Sequence, residues 1–174
     1  EAADVVVARN EWIRAVRAST DPAVRDASIL IRPHPARMGE WDGFNFAQYR
    51  DVAFWGSLPV DASTRSDYFD SLTYSAAVVG LNTSAFLEAG VVGRPVYTVV
   101  LPKYSRANQE GTIHFHYLTE VNGGLLHVAR SFEEHVAQLS GPLTRRVEHD
   151  EKSRRFTEAF IRPRGLAVAA TPLF

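Results

Sequence analysis

Apolar and polar positions follow two rhythms along this chain. In residues 4–18, DVVVARNEWIRAVRA, Val5, Ala8, Trp12, Ala15 and Val16 recur at helical spacing, which predicts a helix from near their start. Asp21 followed by Pro22 is an N-cap with proline at the first helical position, so a short helix is expected there. Further helices are predicted over 67–75, over 84–93 with Asn82 or Thr83 as cap and Gly93 as stop, after Ser131 with Glu134 completing a capping box, and over 149–163. The second rhythm is the short unbroken apolar run. Ile29–Arg32, 52–55, 76–81, 94–100 and 125–130 read as strands buried on both faces, because each run is short and bounded by turn residues. Strands alternating with helices predict βαβ units and a parallel sheet. Residues 33–51, 57–67 and 101–124 are expected to be loops, and the tail after 163 irregular.

Composition narrows the function without naming it. A chain of 174 residues that is 45% hydrophobic and 22% charged suits one globular α/β domain with its own core. The net charge of −1 supplies no basic field for a nucleic-acid backbone. There is no cysteine, so disulfides, thiolate metal sites and a cysteine nucleophile are excluded, which fits a reducing compartment. No apolar run is long enough for a membrane span. The chain opens on glutamate inside a helical pattern, which reads as a piece of a longer protein.

The candidate chemistry gathers where predicted strands end. Ligands of open α/β sheets sit at the carboxyl ends of the strands. The run ILIRPHP places Arg32 there, then His34 between Pro33 and Pro35, which restrict the backbone on both sides. Such an imidazole suits contact with phosphate or proton transfer near neutral pH; the alternative is a structural histidine in a turn. In NTSAFLEAGVVGRP, Asn82, Thr83 and Ser84 open a helix, where unsatisfied N–H groups and short hydroxyls can hold an anion, or simply cap the helix. Glu88, one turn on, either accepts from ribose hydroxyls or faces solvent.

In NQEGTIHFHY, Gln109, Glu110, Thr112, His114 and His116 are expected to rim the same cleft or to form a polar loop. Extended backbone would put His114 and His116 on one face with Glu110 nearby, but a metal site needs further well-placed ligands, so none is assigned. Arg94, Arg162 and Arg164 are candidate phosphate partners or surface residues, and Phe44, Phe46, Tyr49, Phe54 and Trp55 are expected in the core rather than as a base-stacking platform.

Taken together, ILIRPHP and YFDSLTYSAAVVGLNTSAFLEAGVVGRPVYTVV resemble the C-terminal, nucleotide-binding half of a GT-B glycosyltransferase. The likeness is to the bacterial cell-envelope group that includes CDP-glycerol glycerophosphotransferases and capsule polysaccharide transferases. It covers roughly residues 29–100 and is carried by the PHP turn, Asp70, Ser75, Ala76, the NTS turn, Glu88, Gly93 and Pro95. The turn NTSAF departs from the glycine-rich or double-serine turn of many relatives, which leaves the donor open.

The resemblance implies a Rossmann-like three-layer domain, one half of a GT-B fold, with an acceptor domain on its N-terminal side. It implies that Ser84 and its turn grip the donor pyrophosphate, that Glu88 lies near the donor ribose, and that His34 is at the phosphate or the reacting centre. The implied partners are a nucleotide-activated donor and a glycan acceptor, with no metal cofactor. The implied place is the cytoplasm or the inner face of the membrane. The alternatives are a nucleotide-sugar 2-epimerase-like isomerase and a non-catalytic nucleotide-binding module.

Overall fold

A computed structural model describes residues 2–56, 58–81, 83–104, 110–145 and 148–168. The elements in chain order are α1 (Ala2–Arg17), α2 (Pro22–Arg25), β1 (Ile29–Ile31), β2 (Val52–Phe54), α3 (Ala62–Thr73), β3 (Val78–Gly80), α4 (Ala85–Val91), β4 (Val96–Val99), α5 (Ile113–Thr119), β5 (Leu126–Ala129), α6 (Phe132–Thr144) and α7 (Glu151–Phe156). The chain is therefore mixed α/β. Among the described residues its strands form two open parallel sheets, β1–β2 and β3–β4–β5, rather than the single sheet expected.

The centre of the molecule is β4. All four of its residues are buried, as a continuous apolar run predicts, and its register pairs Val96 with Val78 on one side and Leu126 on the other. Alternate side chains go to opposite faces. Val96 and the following Val100 join a cluster with Leu72, Phe86, Ala89, Phe115, Leu118 and Phe156, from α3, α4, α5 and α7. Tyr97 packs with Val16, Val24 and Leu139, from α1, α2 and α6, and Val99 packs with Ala8 of α1. Ile29 of β1 joins the Tyr97 cluster beside Ala77 and Val79, so the smaller sheet shares this core although it is not hydrogen-bonded to the larger one.

Local chemistry sets the boundaries. Asp21 caps α2 by accepting from the Ala23 N–H at 2.9 Å. Ser131 caps α6, and Glu134 reaches back to the Arg130 N–H at 2.7 Å, one residue earlier than a standard capping box. The helix expected from residue 67 begins earlier, at Ala62, because Asp61 and Thr64 form a reciprocal capping box. The helix expected over 149–163 is shorter and divides into α7 and a π-helical turn, Thr157–Ile161. Under the loop 35–51, the buried Trp41 packs with Phe44, Phe46 and Phe54 at ring separations of 5.3–5.7 Å, but the three phenylalanines are only half-buried and lie outside the main core clusters, where they were expected. Trp55 is 61% exposed.

The largest revision concerns residues 113–119. They form helix α5, capped by Thr112, which accepts from the Phe115 N–H at 3.2 Å. On a helix, positions two apart point away from each other, so His114 and His116 do not share a face. His116 instead pairs with Glu120 one turn on, at 3.1 Å. Among the described residues no group of three or more His, Cys, Asp or Glu is placed to hold a metal ion, and no helix is long and apolar enough to cross a membrane.

Candidate functional site

The end of β1, the end of β2 and helices α3 and α4 meet through one arginine. Arg32 follows β1 directly, and its side chain is only 15% exposed. A guanidinium in that position requires a carboxylate. Asp67 on α3 supplies it, with Arg32 Nη1 donating to Oδ2 at 2.8 Å. The second oxygen of Asp67 accepts from the Trp55 indole N–H at 2.9 Å, which ties in the end of β2. These two bonds, the arginine's first, hold the Asp67 carboxyl below its ordinary range.

The same guanidinium lies over the Tyr68 ring, 5.3 Å from its centroid. The Tyr68 hydroxyl donates to Glu88 Oε2 on α4 at 2.5 Å. Arg32 and Glu88, two residues singled out by sequence, are thus brought together by Tyr68, which was not. Gly56 is needed for this packing: a Cβ there would lie 2.9 Å from Arg32 Nη2, and its φ is +128°.

The turn between β3 and α4 is held from beneath. Gly80 ends β3 with its carbonyl accepting from the fully buried Thr98 hydroxyl at 2.8 Å. Its missing side chain makes room for Phe86, which is completely buried. Thr83 provides the cap, accepting from the Ala85 N–H at 3.2 Å. Ser84 has helical backbone angles and makes no side-chain cap bond, so its hydroxyl is exposed at the start of α4. The free N–H cradle expected at this helix start is closed locally. The Phe86 N–H donates to the Thr83 carbonyl at 3.4 Å, and the Leu87 N–H donates to the Ser84 carbonyl at 3.0 Å. Asn82 lies outside the described residues, as does Gln109.

His34 is exposed on the turn after the buried Pro33. Glu110 forms an ion pair with Arg130, which follows β5, so it sits at the same strand ends as the turn after β3. Thr112 is engaged as the α5 cap, and His114 is exposed on that helix. Arg94 departs from expectation. It precedes β4, is buried, and donates to the Glu148 carbonyl, so it lies at the opposite end of the strands. Arg162 donates to the Val168 carbonyl at 2.7 Å, closing the tail.

A concavity of 390 Å³ opens at the amino end of β5 and is lined by Asn122, His127, Asp150, Glu151, Lys152 and Arg155. Its charged groups are engaged with one another or with the backbone. Lys152 donates to the Leu126 carbonyl at 2.6 Å, and Glu151 accepts from Arg154 and Arg155. Burial raises the Asp150 carboxyl, but the His127 ring 3.6 Å away and the Ser153 N–H outweigh it and hold the group low. Asp150 at its edge is the cap of α7.

Asp67 and Tyr68 escaped the sequence reading as site residues, and Trp55 was read only as core, because their partners are remote. Arg32 and Asp67 are separated by 35 positions, and no local spacing signals the pair. The one available signal was chemical: an arginine ending an apolar strand needs an acid. Comparison with family models, with curated protein sequences and with solved structures finds no match to this chain.

Proposed function

We propose that this chain is the donor-binding domain of a GT-B-type transferase. It would be a Rossmann-like three-layer unit that takes a nucleotide-activated sugar or polyol and works with a second domain on a cell-envelope glycan. The observation that supports this reading is the line of contacts from Arg32 through Tyr68 to Glu88. It joins the strand ending in the PHP turn to the helix that follows the NTS turn, the two segments that carry the resemblance.

In this reading Asn82, Thr83 and the exposed Ser84 hydroxyl face the donor diphosphate, and Glu88 accepts from the ribose hydroxyls. His34 contacts the phosphate or the reacting centre. Arg32, engaged with Asp67, acts on the ligand through the residues it holds. Glu110, Thr112 and His114 form the far rim. Charge developing on the leaving diphosphate is stabilised by hydroxyl donors and by His34, because the first N–H groups of α4 are already bonded. The reaction needs no metal, and the protein works in the cytoplasm or against the inner membrane face.

Calorimetric titration with CDP, UDP, GDP and ADP tests this. The expected result is weak binding with a preference for one diphosphate, reduced about fivefold by Ser84→Ala and by Glu88→Ala, the scale of one lost hydrogen bond. Binding of all four that neither substitution alters would contradict the assignment.

A further inference from the structure

Tyr68 sits between a clasped arginine and an exposed carboxylate. Its ring lies against the Arg32 guanidinium, and its hydroxyl donates to one oxygen of Glu88. Arg32 is anchored to Asp67 at 2.8 Å, and Asp67 is anchored in turn by Trp55 at 2.9 Å. Four segments therefore converge on the orientation of one side chain: the ends of β1 and β2, helix α3, and helix α4, which carries Glu88. An exposed glutamate with three free side-chain torsions loses rotamer entropy on binding a ligand. The hydrogen bond from Tyr68 restrains Glu88 before any ligand arrives, which lowers that cost and leaves its second oxygen available to accept.

Resting on the nucleotide-binding reading above, we propose that Tyr68 is a positioning residue for ribose recognition. It holds the Glu88 carboxylate so that its remaining oxygen accepts from a vicinal diol, while Arg32 serves as the clasp behind Tyr68 rather than as a ligand contact. Burial and the neighbouring carboxylate push the Tyr68 hydroxyl well above its ordinary value, so it remains a hydrogen-bond donor throughout the neutral range. A donor fixed in this way keeps Glu88 in its role as acceptor.

The test is discrimination, not affinity alone. The wild-type chain, Tyr68→Phe and Glu88→Gln are titrated with the preferred ribonucleoside diphosphate and with its 2′,3′-dideoxy counterpart. The expected result is that wild type favours the ribonucleotide about fivefold or more, that Tyr68→Phe removes most of that preference, and that affinity for the dideoxy ligand is unchanged by the substitution. Tyr68→Phe keeps the ring under Arg32, so the change is confined to the hydroxyl. Equal weakening of both ligands would mark a merely structural tyrosine and overturn the inference. So would a Tyr68→Phe protein that discriminates as wild type does; in either case the nucleotide reading would stand. If wild type binds neither ligand at millimolar concentration, the nucleotide reading fails and this inference fails with it.

Discussion

His135 lies on α6 with none of its surface exposed, its ring centroid 6.2 Å from those of Trp12 and Tyr97. Among the described residues, neither ring nitrogen has a hydrogen-bond partner. Burial among these rings pushes the imidazole from 6.5 down to about 4, and the adjacent Glu134 carboxylate offsets only part of that. Between those two values the unfolded chain carries one proton more than the folded chain. Stability contributed by the neutral ring is therefore complete above pH 6.5 and is lost as pH falls toward 4. Integrating over that window gives a loss of about 2 kcal/mol at pH 5 relative to pH 7.5, and about 3 kcal/mol at pH 4. His135→Leu replaces the ring with an apolar side chain of similar volume and removes the titration. Urea unfolding of both proteins at pH 7.5, 6 and 5 isolates the effect, because every other titrating group is common to the two. The expected result is that the His135→Leu protein gains on wild type by about 2 kcal/mol between pH 7.5 and 5. Parallel stability curves across that range would refute the reasoning, since a ring that charges without penalty is not buried as described.

Two further substitutions probe the turn and the stop of α4. Gly80→Ala would put a methyl group 2.6 Å from Phe86 Cε1 and 2.9 Å from Thr83 Cγ2; a lower urea midpoint, by about 1–3 kcal/mol, is expected, with weaker nucleotide binding because the Thr83–Ser84 turn shifts. Gly93→Ala forces a side chain into φ +77° and into the His149 ring; a loss of at least about 1 kcal/mol in thermal or urea unfolding is expected, and an unchanged midpoint would contradict the observed packing.

Much of this fold was legible because burial writes itself into the sequence. The run 94–100 reads as a strand buried on both faces, and β4 is that strand. Asp21–Pro22 and Ser131 announce their helices through side-chain oxygens placed to accept backbone N–H groups. Helix α5 was missed because only Phe115 and Leu118 of its seven residues are buried, too sparse a stripe to overcome the polar residues between them. The alternation of His114 and His116 suggested extended chain for the same reason. The early start of α3 was readable in Asp61 and Thr64 but was outweighed by the polar character of STRSD. For the site, sequence supplied Arg32 and Glu88 but not the tyrosine between them, since that contact depends on how α3 packs against α4. It also promised free N–H groups after β3, which the local turn geometry uses up.

The most direct test of the central claim is amide chemical-shift mapping of the chain with CDP, UDP, GDP and ADP. The account predicts that the preferred nucleotide perturbs Arg32 and His34, Thr83 through Glu88, and Tyr68, while His127 and Asp150 at the opposite end of the strands stay still. Perturbations centred on His127, Asp150 and Lys152, or none anywhere at millimolar nucleotide, would contradict it.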